Sequence, residues 1–131
     1  MLIYVIRLLF GLDEESSRPS TKHTEPYQVF TYRTEDGEAV FKFSYHLVRN
    51  RYEIDIHKQP NYRSRKGGSY VAHWLLSPRD AERKICVSTS HSPKTLEDAQ
   101  ELSKAWAELT WEYIKTGISI DTQVAINHKK K

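Results

Sequence analysis

His46, Glu53, Asp55 and His57 are the residues of this chain whose types and spacing come nearest to chemistry. Glu53, Asp55 and His57 alternate, so on an extended strand they project from one face. Imidazole beside carboxylate can hold a divalent metal or run acid–base catalysis. The same residues also suit the water-facing side of an antiparallel sheet, with His46 opposite Glu53 as a modest cross-strand pair. That second reading is adopted, so no catalytic set, metal site or cofactor is expected. No metalloprotease, paired-cysteine, nucleophile-elbow or phosphate-loop motif occurs in the chain. Cys86 sits in an apolar segment without an activating neighbour and reads as a buried, inert thiol.

A second cluster is basic. Residues 59–69 (QPNYRSRKGGS) carry Arg63, Arg65 and Lys66 with no acid, Lys58 stands just before them, and Tyr62 lies within. Cations beside an aromatic ring on a glycine-bearing loop are what phosphate contact with base stacking uses, and a solvated charged turn accounts for them equally well. Total charge adds nothing to either reading. The net +3 equals the three lysines Lys129, Lys130 and Lys131, so the rest of the chain is neutral.

The elements that must position these residues are legible from periodicity. Residues 95–117 form the clearest helix, with Leu96, Ala99, Leu102, Trp106, Leu109 and Tyr113 on one side. Thr95 is a capping residue, Glu97, Asp98 and Glu101 suit the helix start, Lys115 suits its last turn, and Gly117 stops it. Trp111 and Ile114 fall toward the helix flank. An exposed tryptophan there would mark a protein interface, whereas ordinary packing would cover a sheet edge.

Before the helix the pattern is β. Residues 27–33 are aromatic and β-branched, and Asp36-Gly37 signals a turn. Residues 39–48 then alternate, Arg49-Asn50 suits a two-residue turn, and 51–57 alternate again. That turn sets Leu47 opposite Tyr52, Tyr45 opposite Ile54 and Phe43 opposite Ile56. On the other face His46 meets Glu53, Ser44 meets Asp55 and Lys42 meets His57, with no like charges opposed. Residues 70–76 and 84–89 are read as the fourth and fifth strands, and 118–120 as a short strand before a basic tail over 121–131. The fold class expected is α+β: an antiparallel meander of about five strands with one long C-terminal helix on one face.

The chain has 131 residues, 38% of them hydrophobic, which suits a single domain over 26–120. Residues 1–12 (MLIYVIRLLFGL) are apolar apart from Arg7 and fall short of the roughly 20 residues that span a bilayer. They also lack the basic start and cleavage site of a signal peptide. They are expected to dock on the core as a strand or short helix, a membrane-surface or partner-binding segment being the alternative. Residues 13–25 read as a polar linker. One cysteine excludes an internal disulfide and fits a reducing, cytoplasmic setting.

From Tyr62 onward the order of elements resembles the AP2-like and integrase arm-type DNA-binding modules, a three-stranded sheet backed by one helix. The matching residues are Tyr62-Arg63 before a glycine turn, then Tyr70-Val71-Ala72-His73-Trp74, then Arg83-Lys84-Ile85-Cys86-Val87, and Thr95-Leu96-Glu97-Asp98-Ala99 opening the helix. The match covers less than half the chain, and the hairpin over 39–57 lies outside it. The resemblance implies that strand residues facing away from the helix read DNA, which makes Arg63, Arg65, His73 and Lys84 candidates beside Lys58, Tyr62 and Lys66. The function expected is that of a small non-enzymatic binding protein contacting DNA or RNA through the basic loop. The alternative is a protein-binding adaptor or inhibitor acting through the helix flank at Trp111 and Ile114 or through an open sheet edge, with a homodimer as one form of that edge contact.

Overall fold

The structure, a computed structural model, describes residues 27–129. The expected N-terminal segment 1–12, the linker 13–25 and the last two lysines lie outside the described residues. The chain forms β1 (Phe30–Arg33), β2 (Val40–Val48) and β3 (Arg51–Lys58), then a helical turn α1 (Ser69–Ala72). The short strands β4 (Trp74–Leu76) and β5 (Arg83–Ile85) follow, and then the helices α2 (Leu96–Thr116) and α3 (Ile120–Lys129). The five strands make one antiparallel sheet in the order β1-β2-β3-β5-β4. The architecture is α+β, as the periodicity predicts.

Two tight turns set the β1–β2–β3 register. Gly37 takes a positive φ (77°) and closes its turn by donating its N–H to Thr34 O at 2.8 Å. At the β2–β3 turn both central residues are left-handed, Arg49 at φ 55° and Asn50 at φ 69°. This matches strand twist but is unusual for an arginine. The expected pairs Leu47–Tyr52, Tyr45–Ile54, Phe43–Ile56, His46–Glu53 and Ser44–Asp55 all form. One pair differs: the register shifts between Lys42 and Phe43, so Lys42 stands opposite Lys58 rather than His57. Two like charges therefore face each other across the strands.

The inner face of the sheet packs on α2. Phe41, Phe43, Ile54 and Ile56 are buried against Leu102 and Trp106, with both phenylalanine rings edge-on to the indole. Thr95 caps α2 by accepting the Asp98 N–H at 3.1 Å, and Gly117 ends it in the left-handed region at φ 83°.

Three expectations are corrected. Residues 70–72 are helical rather than extended. The Ala72 N–H reaches Gly68 O at 2.9 Å, and Trp106 donates its indole N–H to Ala72 O at 3.0 Å. This tertiary contact and the complete burial of Ala72 outweigh the β-propensity of the local sequence. Of the strands implied over 62–87, residues 62–66 form none, and β4 and β5 span three residues each. The tail is not a strand and frayed end either. Ser119 Oγ accepts the Thr122 N–H at 3.1 Å and starts α3, whose Ile120 and Val124 share a face and are buried.

Candidate functional site

The outer face of the sheet, expected to meet water, is largely buried. Alternation sends Ser44 and His46 of β2 and Glu53, Asp55 and His57 of β3 to this side. Ser44 and Asp55 have no exposed surface and His46 has 6%. The residue that makes this tolerable is Arg79, from the turn between β4 and β5. Its Nε donates to Asp55 Oδ2 at 2.7 Å, while one terminal nitrogen reaches Asp55 Oδ1 at 3.0 Å and Glu53 Oε1 at 2.6 Å. Ser77 adds a hydroxyl to Asp55 Oδ1 at 2.9 Å, and Lys84 Nζ lies 3.2 Å from Glu53 Oε2. Burial works against the Arg79 charge, but the hydrogen bonds to Asp55 and Glu53 outweigh it and leave its pKa raised.

Ser44 sits between two imidazoles, its Oγ 2.7 Å from His46 Nε2 and 2.7 Å from His57 Nε2. The single hydroxyl proton can serve one ring, so the other ring must donate its own Nε2–H. This is not a nucleophile relay. In a Ser-His-Asp triad the base meets serine through one nitrogen and aspartate through the other. Here Asp55 approaches the same His46 Nε2, at 3.4 Å. Ser44 and Asp55 are fully buried and Arg79 engages both carboxylates, so the arrangement ties β2, β3 and the β4–β5 turn together. Among the described residues no group of three or more His, Cys, Asp or Glu is arranged to hold a metal.

The residues expected to contact nucleic acid are not brought to one face. Lys58, Arg63 and Lys66 are exposed. Arg63 lies over the Trp111 ring at 5.4 Å. Arg65 caps α2, donating to Ile114 O at 3.1 Å and Lys115 O at 3.3 Å. Tyr62 is half-buried, donates to Gln59 Oε1 at 2.9 Å and packs edge-on to Tyr113, and burial pushes its pKa up to about 12. His73 is buried in a left-handed conformation with its Nε2 2.7 Å from Asp121 Oδ1 on α3. Lys84 is buried on the outer face with Glu53. The loop thus wraps the C-terminal end of α2, on the opposite side of the sheet from Lys84. The Tyr113 hydroxyl fixes it further by donating to Lys66 O at 2.8 Å.

The helix flank is likewise occupied. Trp111 and Ile114 are 5% and 2% exposed, and the Trp111 indole donates to Asp36 Oδ2 at 2.8 Å. Neither residue presents a surface to a partner, because the β1–β2 turn and the basic loop cover them. Cys86 is half-buried, and its N–H bonds His73 O at 2.9 Å.

A bay opens where β3 loses its neighbour. β5 pairs β3 only at Asp55–Lys84, and the Tyr52 N–H instead reaches Pro93 O at 2.8 Å. Between these points the chain bows outward and leaves a bay of about 260 Å³, with Ile54, Ile85 and Val87 among its walls and Arg49 and Arg51 also lining it. The sequence hid both Arg79 and the bay. The signal available for Arg79 was two carboxylates on one strand face, which need a cation if covered. Comparison with protein-family models, with curated proteins and with solved structures finds no match to this chain. No helix among the described residues is long and apolar enough to cross a membrane.

Proposed function

We propose that this protein is a non-enzymatic binding module that contacts the phosphate backbone of a nucleic acid through Lys42, Lys58, Arg63 and Lys66. The observation that carries this reading is the Lys42–Lys58 pair. The two lysines stand directly opposite each other, and neither has an acidic partner among the described residues. Like charges held opposite one another cost stability in the free protein, and a bound polyanion would relieve that cost. The carboxylates nearest in the hairpin, Glu53 and Asp55, are neutralised by Arg79 and Lys84 and do not repel phosphate as bare charges would. Arg63 and Lys66 follow Lys58 in the chain and are exposed, which adds two cations beyond the sheet margin. The setting proposed is the cytoplasm, since a lone cysteine suits a reducing compartment.

The test is a salt titration of binding to random-sequence duplex and single-stranded DNA. Four contacts predict a log–log slope of about −3 to −4. Lys42→Ala, Lys58→Ala and Lys66→Ala combined should remove most of that slope. Absence of binding at about 50 mM salt, where such contacts are strong, refutes the reading.

A second reading is favoured by a separate observation. Tyr70 and Leu76, beside and on the edge strand β4, are 89% and 76% exposed. A protein partner or a second copy pairing along β4 would cover them. Salt-insensitive association that Leu76→Lys abolishes would support this reading over the first.

A further inference from the structure

We infer that the bay between β3 and residues 86–92 is a binding site for a small organic phosphate ester with an apolar body. The bay is fixed at both ends. Lys84 pairs with Asp55 at one end, and the Tyr52–Pro93 hydrogen bond closes the other. Its outer wall is braced by a short 3-10 turn at Thr89–His91, with Ser92 Oγ donating to Ser88 O at 3.0 Å. A gap held open by hydrogen bonds at each end is preformed, which lowers the cost of filling it. Its volume, about 260 Å³, is at the small end of ligand sites and suits a metabolite-sized molecule rather than a protein segment.

Its chemistry is two-sided. Ile54, Ile85 and Val87 give an apolar wall. Arg49, Arg51, Thr89 and Ser92 also line the bay. Glu53 lines it too, but its carboxylate is shared by Arg79 and Lys84, so Arg49 and Arg51 are surplus positive charges with no acidic partner among the described residues. Arg51 has one weak contact, a terminal nitrogen 3.4 Å from Ser92 O. Arg49 holds a left-handed turn position better served by glycine or asparagine, at φ 55°. A costly backbone position occupied by a cation at the mouth of a cavity points to a role for that cation. Two forked guanidinium groups beside the Thr89 hydroxyl match three phosphoryl oxygens better than the two oxygens of a carboxylate. These arginines are distinct from the cations proposed to contact nucleic acid, so the inference stands apart from that proposal.

The test uses the full chain, followed by amide NMR shifts during titration with phenyl phosphate, benzoate, benzyl alcohol and inorganic phosphate. Phenyl phosphate should give saturable shifts at Tyr52, Ile54 and Val87 with a Kd of about 1 mM or tighter. Inorganic phosphate, benzoate and benzyl alcohol should each bind at least about tenfold more weakly. Arg49→Gly with Arg51→Gln should weaken phenyl phosphate at least about tenfold, and Val87→Phe, which fills the bay from its apolar side, should do the same. Lys42→Ala, Lys58→Ala and Lys66→Ala should leave it unchanged. The inference is overturned by the absence of saturation up to about 10 mM. Equal affinity for benzoate overturns it too, as does unchanged affinity in the arginine variant with its folded spectrum intact.

Discussion

The centres of the two faces of β2 and β3 are both hidden from water and are sealed in opposite ways. On the inner face Phe41, Phe43, Ile54 and Ile56 meet Trp106 and Leu102 of α2, and apolar area removed from water holds the contact. That force has no direction, so swaps that conserve volume are tolerated. On the outer face Ser44, His46 and Asp55 are just as buried, and what holds them is directional: a forked guanidinium, two hydroxyls and two imidazoles. Each buried lone pair there needs a named partner, and losing one partner strands a charge. Equal burial therefore predicts unequal tolerance to substitution. A face whose polar groups satisfy one another also has little left for a ligand. Both proposed binding sites accordingly lie at the margins of the sheet, at Lys42 and Lys58 and at Arg49 and Arg51.

The sharpest way to break this contrast is Arg79→Ala. It leaves the buried Asp55 and the half-buried Glu53 without their strongest partner, and should cost about 3–5 kcal/mol in urea unfolding. Arg79→Met combined with Asp55→Leu should recover most of that loss, since a buried ion pair is often replaceable by apolar groups of similar size. A cost under about 1 kcal/mol for Arg79→Ala would mean that water already satisfies these carboxylates, and the contrast would collapse. On the inner face Trp106→Phe removes one ring's volume and orphans Ala72 O, for a loss of about 2 kcal/mol. The arginine and tryptophan share no partner, so the double variant should equal the sum of the two within about 0.5 kcal/mol.

The inner face was legible in the sequence because alternation in β2 and β3 and the three-and-four spacing of α2 are local patterns with one physical meaning. The hairpin register followed from them, apart from the shift at Lys42. The outer face was not legible. Alternating polar residues read as solvent-facing unless something covers them, and the cover comes from Arg79, more than twenty residues away in the chain. The helical turn at Ser69–Ala72 was hidden for a similar reason, since the Trp106–Ala72 bond that holds it is long-range. In α3 only Ile120 and Val124 point to the core, too few apolar residues to register as a helical stripe. The basic loop was visible as a cluster. The assignment of Arg65 to the end of α2 and of Arg63 to Trp111 depended on where the helix stops relative to the sheet.

A third, smaller contact separates buried from exposed ionic pairing. Asp36 in the β1–β2 turn accepts from Lys115 Nζ and from Trp111 Nε1, each at 2.8 Å, and clasps the turn to the last part of α2. The Lys115 ammonium, the Glu38 N–H, Thr34 and Trp111 together hold its carboxyl well below the usual carboxylate range. A pKa depressed in the folded state gives stability that is fully present above the unfolded value of about 4 and is lost as pH falls below it. Asp36→Asn should therefore lower the urea midpoint at pH 7, and the gap from wild type should narrow as pH falls from about 5 toward 2. A gap that stays constant with pH would assign the clasp to hydrogen bonding rather than charge. Because Lys115 and Asp36 are each about a third exposed, at 33% and 32% of the side chain, about 1 M salt should shrink the same gap at pH 7. The Arg79 deficit, protected from ions by burial, should be nearly indifferent to salt, and this sets the two kinds of pair apart in one experiment.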